Sequence, residues 1–449
     1  MWRHTIDRID WGNNVNTLLK KNRTTIRRCI IALLAIAAAV RITAAMLLQL
    51  PVCSDAFDYS AIAQSLATGS GFSLSGVPTA FRTPGYPFFL AALYATFGFS
   101  PIPVLLVQAL IDTLSCFLVF LIGRKLFSLR VALFALCFMS VMPGIVLYVP
   151  QLMTETLSLF LGLLFTWHMV SGPEVPSRSR NVVGGIIIGI GVLVRPTLLV
   201  LPIAVAAARF WNGWTKRRAL DSLFTSLVIS LIVVAPWVAR NYSEFGRLTL
   251  TSNIGLNFWI GAHTGAGGGF SYPKGIDPFM AATSEFDRSD RALSSAIDFV
   301  RGSPLEYVLI SCKKISHLFA LDYWTLALLA QTKEHFSWTW AAGIHIPFML
   351  MVFLAGAGFC FGKAKDVRAL RLLIAVIVAW IAIHMVFYGG ARYRMPMEPF
   401  LIIAGSYGAT LFATRSYVVT RRRTIAFILL SLLFLTSWGV ELYMNIATA

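Results

Sequence analysis

The stretch 54–87 combines acidic and basic side chains at a spacing that suits group transfer. Asp55 and Asp58 are three residues apart, so on a helix both carboxylates lie on one face. Arg82 follows, directly before a rigid Pro-Gly-Tyr-Pro turn. Because a carboxylate can accept a proton and an arginine can neutralise a leaving anion, this segment predicts a site that does both.

A short helix over Asp55–Ala67 would place these carboxylates. Ser54 is a suitable N-cap, and the two acids then occupy the first turn. The helix dipole alone also explains a first-turn acid, so Asp55 has a structural interpretation beside the chemical one.

The composition is that of an all-α, polytopic membrane protein. The chain has 449 residues, of which 57% are hydrophobic and only 13% charged, and its mean hydropathy is +0.72. The net charge of +18 comes from Lys and Arg clusters between apolar runs. This arrangement is typical of cytoplasmic loops and not of a nucleic-acid-binding surface.

The apolar runs predict about eleven transmembrane helices that follow a basic cytoplasmic N-terminus, residues 1–28, and form one domain, residues 29–449. The outer loops are residues 53–101, with an interfacial helix at Phe88–Phe99, and residues 240–338. The segments that we expect to span the membrane are 29–52, 102–122, 131–149, 156–170, 223–238, 340–361, 372–387, 399–412 and the run from 425, together with 182–211, which is broken into two at Arg195–Pro196.

This topology gathers ionisable residues at the outer face, namely Asp55, Arg82, Glu155, Arg195, His384, Arg392 and Arg394. Outer loops are usually poor in Arg, so arginines there suggest a bound anion, with phosphate the natural candidate. Arg195 is more simply explained as closing the turn between two short helices. His384 is more simply explained as a histidine packed within the membrane bundle. In an extended loop, Arg392 and Arg394 would point the same way.

Other polar features have structural explanations. Arg41, Gln108 and Asp112 lie within spans, so we expect them to face the bundle interior, where an internal hydrogen bond explains them more simply than a proton path. The six cysteines form no CxxC motif or His/Cys cluster, although Cys53 and Cys312 fall in outer segments where they could pair. The glycines at 265–269 lack the Lys and Ser or Thr of a phosphate loop, and we interpret them as a mobile lid.

Six motifs in fixed order resemble the bacterial membrane glycosyltransferases of the GT-C fold, glycosyltransferase family 39. The resemblance covers Arg28 to Gly408 and is closest to protein O-mannosyltransferases, the aminoarabinose transferase of lipid A and galacturonosyl transferases of lipopolysaccharide. The motifs are SDAFDY, RTPGYP, MPGIVLYVPQLMTETL, GVLVRPTLLVLP, APWVARNYSEFG and RYRMPMEPF.

The resemblance implies a GT-C bundle with interfacial helices in the first outer loop, and it implies roles for individual residues. The family base is an Asp four residues before an aromatic, here Asp55 before Tyr59. Two subgroups follow that Asp with Glu, whereas this chain has Ala56, so either Asp58 or Glu155 is the second acid. The residues expected to bind the donor phosphate are Arg82, Arg392 and Arg394, and the expected cavity residues are Tyr59, Tyr86, Arg195, His384 and Tyr393.

The implied reaction moves a sugar from a polyprenyl-phosphate donor to a hydroxyl of a glycolipid, polysaccharide or protein acceptor. A single displacement would invert the anomeric carbon, and the arginines make a metal or cofactor unnecessary in this scheme. The implied location is the bacterial inner membrane, among its lipids, with the site facing the periplasm or exterior. The alternative is a transporter or flippase, which needs midplane charges and a repeat relating two halves; we find no such repeat.

Overall fold

The computed structural model describes residues 23–48, 50–172, 177–270, 272, 277–333 and 338–448. Residues 1–22 of the expected basic N-terminal segment therefore lie outside the described residues.

In the first half of the chain, the described residues form ten α-helices and one small hairpin. They are α1 (Arg23–Leu47), α2 (Asp55–Ala67), β1 (Ser73–Leu74), β2 (Val77–Pro78), α3 (Gly85–Phe97), α4 (Pro101–Leu126), α5 (Leu129–Val141), α6 (Pro143–Val146), α7 (Glu155–Ser171), α8 (Arg178–Val194), α9 (Val200–Trp211) and α10 (Lys216–Phe245). A 3-10 turn, Pro196–Leu199, separates α8 from α9.

The second half is also helical. It contains α11 (Ile254–Ile260), α12 (Glu285–Gly302), α13 (Pro304–Phe319), α14 (Tyr323–Lys333), α15 (Trp338–Phe361), α16 (Val367–Val386), α17 (Ala391–Arg394), α18 (Glu398–Ala413) and α19 (Arg421–Thr448).

The prediction of a helical membrane protein is confirmed. Among the described residues, six helices, α1, α4, α10, α15, α16 and α19, are long and apolar enough to cross a membrane, and three shorter apolar helices accompany them, at 85–97, 129–141 and 196–211. Each segment expected to span the membrane has a helical counterpart. Strands in the described part of the chain are limited to the antiparallel pair β1–β2.

Two details differ from the expected segments. The run 131–149 is not one span, because α5 ends at Val141 and Pro143 starts the separate short helix α6. The predicted second outer loop, residues 240–338, contains four helices, α11, α12, α13 and α14. The polar helix α12 has no apolar run that would reveal it in a hydropathy pattern.

Close helix packing builds the core. α8 packs against α10, and a Cβ placed on Gly189 would lie 2.6 Å from Cβ of Val233. α15 packs against α18 in the same way, because a Cβ on Gly408 would overlap the Leu354 carbonyl. Small residues therefore allow these backbones to approach one another, as is common for helices in membranes.

Candidate active site

Three carboxylates and three guanidinium groups alternate in one connected chain, which we call the acid–arginine cluster: Asp58, Arg82, Asp55, Arg392, Glu155 and Arg195. Arg82 Nη2 lies 2.7 Å from Asp58 Oδ2 and 2.5 Å from Asp55 Oδ1. The other Asp55 oxygen, Oδ2, lies 2.8 Å from Arg392 Nη1. Arg392 Nε then contacts Glu155 Oε1 at 2.5 Å, and Arg195 Nη1 contacts the same oxygen at 2.9 Å.

α2 places Asp55 and Asp58 on one face, as the spacing predicts, and its bounds match the predicted helix. Ser54 precedes the helix as predicted, but its side chain makes no capping hydrogen bond, so the predicted N-cap interaction is wrong. Ser54 instead has a φ of 52°, in the left-handed region that costs a non-glycine residue energy. This turn redirects the chain from α1 into α2, directly before Asp55.

A tight fit against α8 fixes the turn that carries Arg82. Thr83 Oγ1 donates to the Val194 carbonyl at 3.0 Å. Gly85 approaches so closely that an added Cβ would lie 2.8 Å from the Leu193 carbonyl. The turn therefore holds Arg82 beside the end of α8, where Arg195 follows.

Glu155 and Arg195 meet inside the bundle. Glu155 is the first residue of α7 and has no exposed side-chain surface, while Arg195 occupies the break between α8 and the 3-10 turn. The predicted break thus also brings Arg195 to a carboxylate. Glu155 Oε2 is buried and has no hydrogen-bond partner among the described residues, so it can still accept a hydrogen bond.

Arg392 and Arg394 point in different directions, contrary to the expectation of an extended loop. They belong to the helical turn α17, in which residues two apart lie on different faces. Arg394 is buried, contacts Glu398 Oε1 through Nε at 2.7 Å and lies over the Phe348 ring. Arg394 is therefore outside the acid–arginine cluster, and its expected place beside the donor phosphate is not supported by its position.

The expected cavity aromatics surround the cluster at different depths. Tyr59 lies under Arg82, with 5.3 Å from its ring centroid to the guanidinium carbon, and Tyr393 is approached similarly by Arg195 and Arg392. His384 stacks on Tyr393. Tyr86 is fully buried and donates to Gln108 Oε1 at 2.7 Å, so it supports Tyr59 from behind.

The charges of the cluster control its protonation. Burial raises the pKa of the Asp55 carboxyl, but the positive charges of Arg392 and Arg82 outweigh burial and hold the pKa well below its ordinary value. Asp55 is therefore ionised at neutral pH. The carboxylates in turn raise the pKa of the Arg82 and Arg392 guanidinium groups against the effect of burial. Three acids balance three arginines, so the cluster has no net charge.

Two supporting residues were not given these roles by the sequence analysis. Glu285 accepts from the Thr79 hydroxyl and the Ala80 amide, both at 2.7 Å, and so ties the second outer region to the first. Lys314 donates to the carbonyls of Met385 and Val386 near the end of α16, which supports the segment before Arg392. Burial lowers the pKa of Lys314 to about 8. Neither position follows a recognisable sequence pattern, since both depend on tertiary contacts.

The remaining expectations concern the interior and possible metal ligands. Arg41 and Asp112 face the interior as expected, with both side chains fully buried, and their internal hydrogen bond joins them to each other, Arg41 Nε to Asp112 Oδ2 at 2.6 Å. Cys53 and Cys312 are not paired with each other. Over the described ranges, no group of three or more His, Cys, Asp or Glu side chains is arranged to hold a metal ion.

Comparison with known families confirms the glycosyltransferase resemblance over part of the chain. Residues 81–239 match the family described as dolichyl-phosphate-mannose-protein mannosyltransferase. Arg82, Glu155 and Arg195 fall within the matched segment. No curated protein matches the chain.

Two kinds of solved structure are similar to this chain. One is the oligosaccharyltransferase AglB from Archaeoglobus fulgidus in complex with an inhibitory peptide and a dolichol-phosphate, with 13% identity, a TM-score of 0.47 and coverage of 91% of this chain and 54% of that chain. The other is ArnT from Cupriavidus metallidurans bound to undecaprenyl phosphate, with 14% identity, a TM-score of 0.41 and coverage of 85% and 77%. The chain thus spans about half the length of the oligosaccharyltransferase.

Proposed function

We propose that this protein is an integral membrane glycosyltransferase that moves a sugar from a polyprenyl-phosphate donor to an acceptor hydroxyl at the outer face of a bacterial inner membrane. The observation that carries the proposal is the acid–arginine cluster, in which one carboxylate, Asp55, lies between two arginines. The family match over residues 81–239 supports the reaction type. The acceptor belongs to the classes of envelope glycolipid, polysaccharide or protein.

Asp55 is the proposed base. An acceptor hydroxyl attacks the anomeric carbon, its proton passes to Asp55, the bond from that carbon to the phosphate oxygen breaks, and polyprenyl phosphate leaves with the electron pair. A single displacement of this kind inverts the anomeric configuration. General base catalysis of this type contributes about 100- to 10,000-fold in rate.

The arginines beside Asp55 are the proposed phosphate ligands. Arg82 and Arg392 present guanidinium groups that can bind phosphate through paired hydrogen bonds. In this structure both are bound to carboxylates, so a donor phosphate has to compete with Asp55 for them. Loss of either contact raises the pKa of Asp55 and makes it a stronger base, which couples donor binding to base activation.

Glu155 is the favoured second acid in this proposal. Its free oxygen, Oε2, is buried beside Arg392 and can accept a hydrogen bond from a sugar or acceptor hydroxyl. Asp58 is bonded only to Arg82 within the cluster and so has the simpler role of orienting that arginine. The transporter alternative receives less support, because the buried Arg41–Asp112 pair is held by further bonds to backbone carbonyls.

The test is an Asp55→Asn variant beside a matched Asp58→Asn variant. Asn keeps the size of the side chain but cannot accept the proton, so we expect Asp55→Asn to lower sugar transfer by about 100-fold or more. Asp58→Asn should cost less, since Asp58 only orients Arg82. The measurement is the amount of glycosylated envelope product, by mass spectrometry, in a deletion strain complemented with each variant at equal membrane expression.

Near-normal product from Asp55→Asn would exclude Asp55 as the base. A larger loss in Asp58→Asn than in Asp55→Asn would transfer that role to Asp58. Each variant keeps one carboxylate bound to Arg82, so we expect both to fold to the same extent and to differ only in activity.

A further inference from the structure

A cavity with basic and hydroxyl side chains in its lining lies at the end of the bundle opposite the acid–arginine cluster. Arg392 of the cluster follows the C-terminal end of α16, whereas this cavity is lined near the N-terminal end of α16 and the C-terminal end of α18. Its volume is about 480 Å³. We call it the basic cavity, after its lining residues Arg130, Lys363 and Lys365.

The basic cavity has an excess of positive charge. Its lining contains three cations and one carboxylate, Asp366, and that carboxylate already accepts a 2.8 Å hydrogen bond from the Tyr407 hydroxyl. Lys363 and Lys365 form no salt bridge within the described part of the chain. These two lysines, at the edge of a helical bundle, favour an anionic ligand.

The floor and walls are built from well-fixed polar groups. The Tyr407 hydroxyl accepts from the Lys363 amide at 3.0 Å, and its buried ring stacks on Phe127 at 4.4 Å between centroids. Tyr407 therefore holds the turn that carries both lysines. Hydroxyl groups complete the lining, and they belong to Ser128, Thr410, Thr414 and Ser416.

An exposed apolar surface continues from the same wall. Phe412 and Tyr417 are 44% and 43% exposed and flank the lining residues Thr414 and Ser416, with their ring centroids 5.6 Å apart. Aromatic side chains beside cations are typical of the membrane–water interface. A ligand in the basic cavity can therefore keep an acyl chain on this surface, which a free phosphate ion cannot use.

We propose that the basic cavity binds the phosphate headgroup of an anionic membrane lipid. Arg130, Lys363 and Lys365 would neutralise the phosphodiester, and the Ser128 hydroxyl, which only accepts a hydrogen bond from the Val131 amide, would donate to one of its oxygens. The Thr410 and Thr414 hydroxyls already donate to backbone carbonyls and line the wall. The bound lipid would join α5, α16 and α18 at one membrane surface. This site is separate from the proposed donor site and does not depend on the proposed reaction.

The experiment measures thermal unfolding of the purified full-length protein in detergent with added dioleoyl phosphatidylglycerol. We expect saturable stabilisation by this lipid, and none by dioleoyl phosphatidylcholine or by inorganic phosphate at equal concentration. The Lys363→Gln/Lys365→Gln variant should bind phosphatidylglycerol about 25-fold more weakly, at roughly fivefold for each cation near a membrane surface. Lys363→Arg/Lys365→Arg should retain the affinity of the wild type.

The matched control is Arg421→Gln/Arg422→Gln, which removes the same charge from exposed positions outside the cavity lining. We expect it to retain the wild-type affinity. Equal weakening in the control would show general surface attraction and overturn the proposal, as would unchanged affinity in the Lys363/Lys365 glutamine variant. Equal stabilisation by inorganic phosphate would overturn the assignment to a lipid.

Discussion

The two arginines of α17 allow a test of the phosphate site that needs no knowledge of the sugar. We compare Arg392→Ala with Arg394→Ala. Both side chains are largely buried and each is bonded to a carboxylate, but only Arg392 lies in the acid–arginine cluster. Arg394→Ala is therefore a control for loss of a buried ion pair as such.

Both variants should destabilise the protein to a similar extent. Arg392 makes a short charged hydrogen bond to Glu155 at 2.5 Å, worth about 1.5 to 3 kcal/mol, and an ion pair with Asp55 at 2.8 Å. Arg394 has one carboxylate, the Ala320 carbonyl and the Phe348 ring as partners. Because removal of one member of a buried pair typically costs about 3 to 5 kcal/mol, we expect that loss in the free energy of unfolding for each variant.

Stabilisation against unfolding by undecaprenyl phosphate should distinguish Arg392→Ala from Arg394→Ala. At a concentration 100 times its dissociation constant, undecaprenyl phosphate should stabilise the wild type and Arg394→Ala by about 2.7 kcal/mol. If Arg392 contributes about 1.5 to 3 kcal/mol to phosphate binding, the same concentration should stabilise Arg392→Ala by only about 0.3 to 1.3 kcal/mol. Arg392→Lys keeps the charge without the forked geometry and should fall between them.

The assay is equilibrium or thermal unfolding in detergent, with and without the lipid. Full protection of Arg392→Ala would refute the assignment, and Arg195 and Lys314 would be the next cations to test. Equal loss of protection in Arg394→Ala would show that any broken ion pair weakens binding, which would also refute the reasoning.

Two further predictions concern protonation and orientation. The pKa of Asp55 is lower in the folded protein than in the unfolded chain, where it is about 3.9. Its ion pairs should therefore stabilise the fold fully above that value and lose the effect only as pH falls through the folded pKa. A difference in stability between wild type and Asp55→Asn that already shrinks from pH 7 to 5 would contradict this. In a cysteine-free background, a cysteine at exposed Ser70 should react with a membrane-impermeant reagent from outside and one at exposed Ser179 should not, and the opposite pattern would invert the orientation.

Hydropathy and local spacing predicted the helices well, because the backbone N–H and C=O groups of a span in a membrane must form their hydrogen bonds within that span, as a helix does. The helix from Asp55 to Ala67 was also predictable, since its first-turn acids and the glycines after it mark its ends. The polar helix α12 was not, because an amphipathic helix packed on the surface of the protein needs no long apolar run.

The cluster was only partly predictable for a geometric reason. The sequence indicated that several charges share the outer face, but not which acid meets which arginine. The order depends on tertiary contacts such as that of Gly85 with the end of α8. Arg394 illustrates the limit, because a single helical turn in place of an extended segment directs it away from Arg392 and toward Glu398.

The wide spacing of the cluster along the chain has a consequence for biogenesis. Its members extend from Asp55 to Arg392, so a chain emerging from the ribosome has three of the acids but only two of the arginines until α17 has been made. Until then the group has a net charge of −1, and an uncompensated charge resists burial. We therefore expect the end of α7 that carries Glu155 to stay hydrated until α17 has been made, and the last helices to complete the compact state.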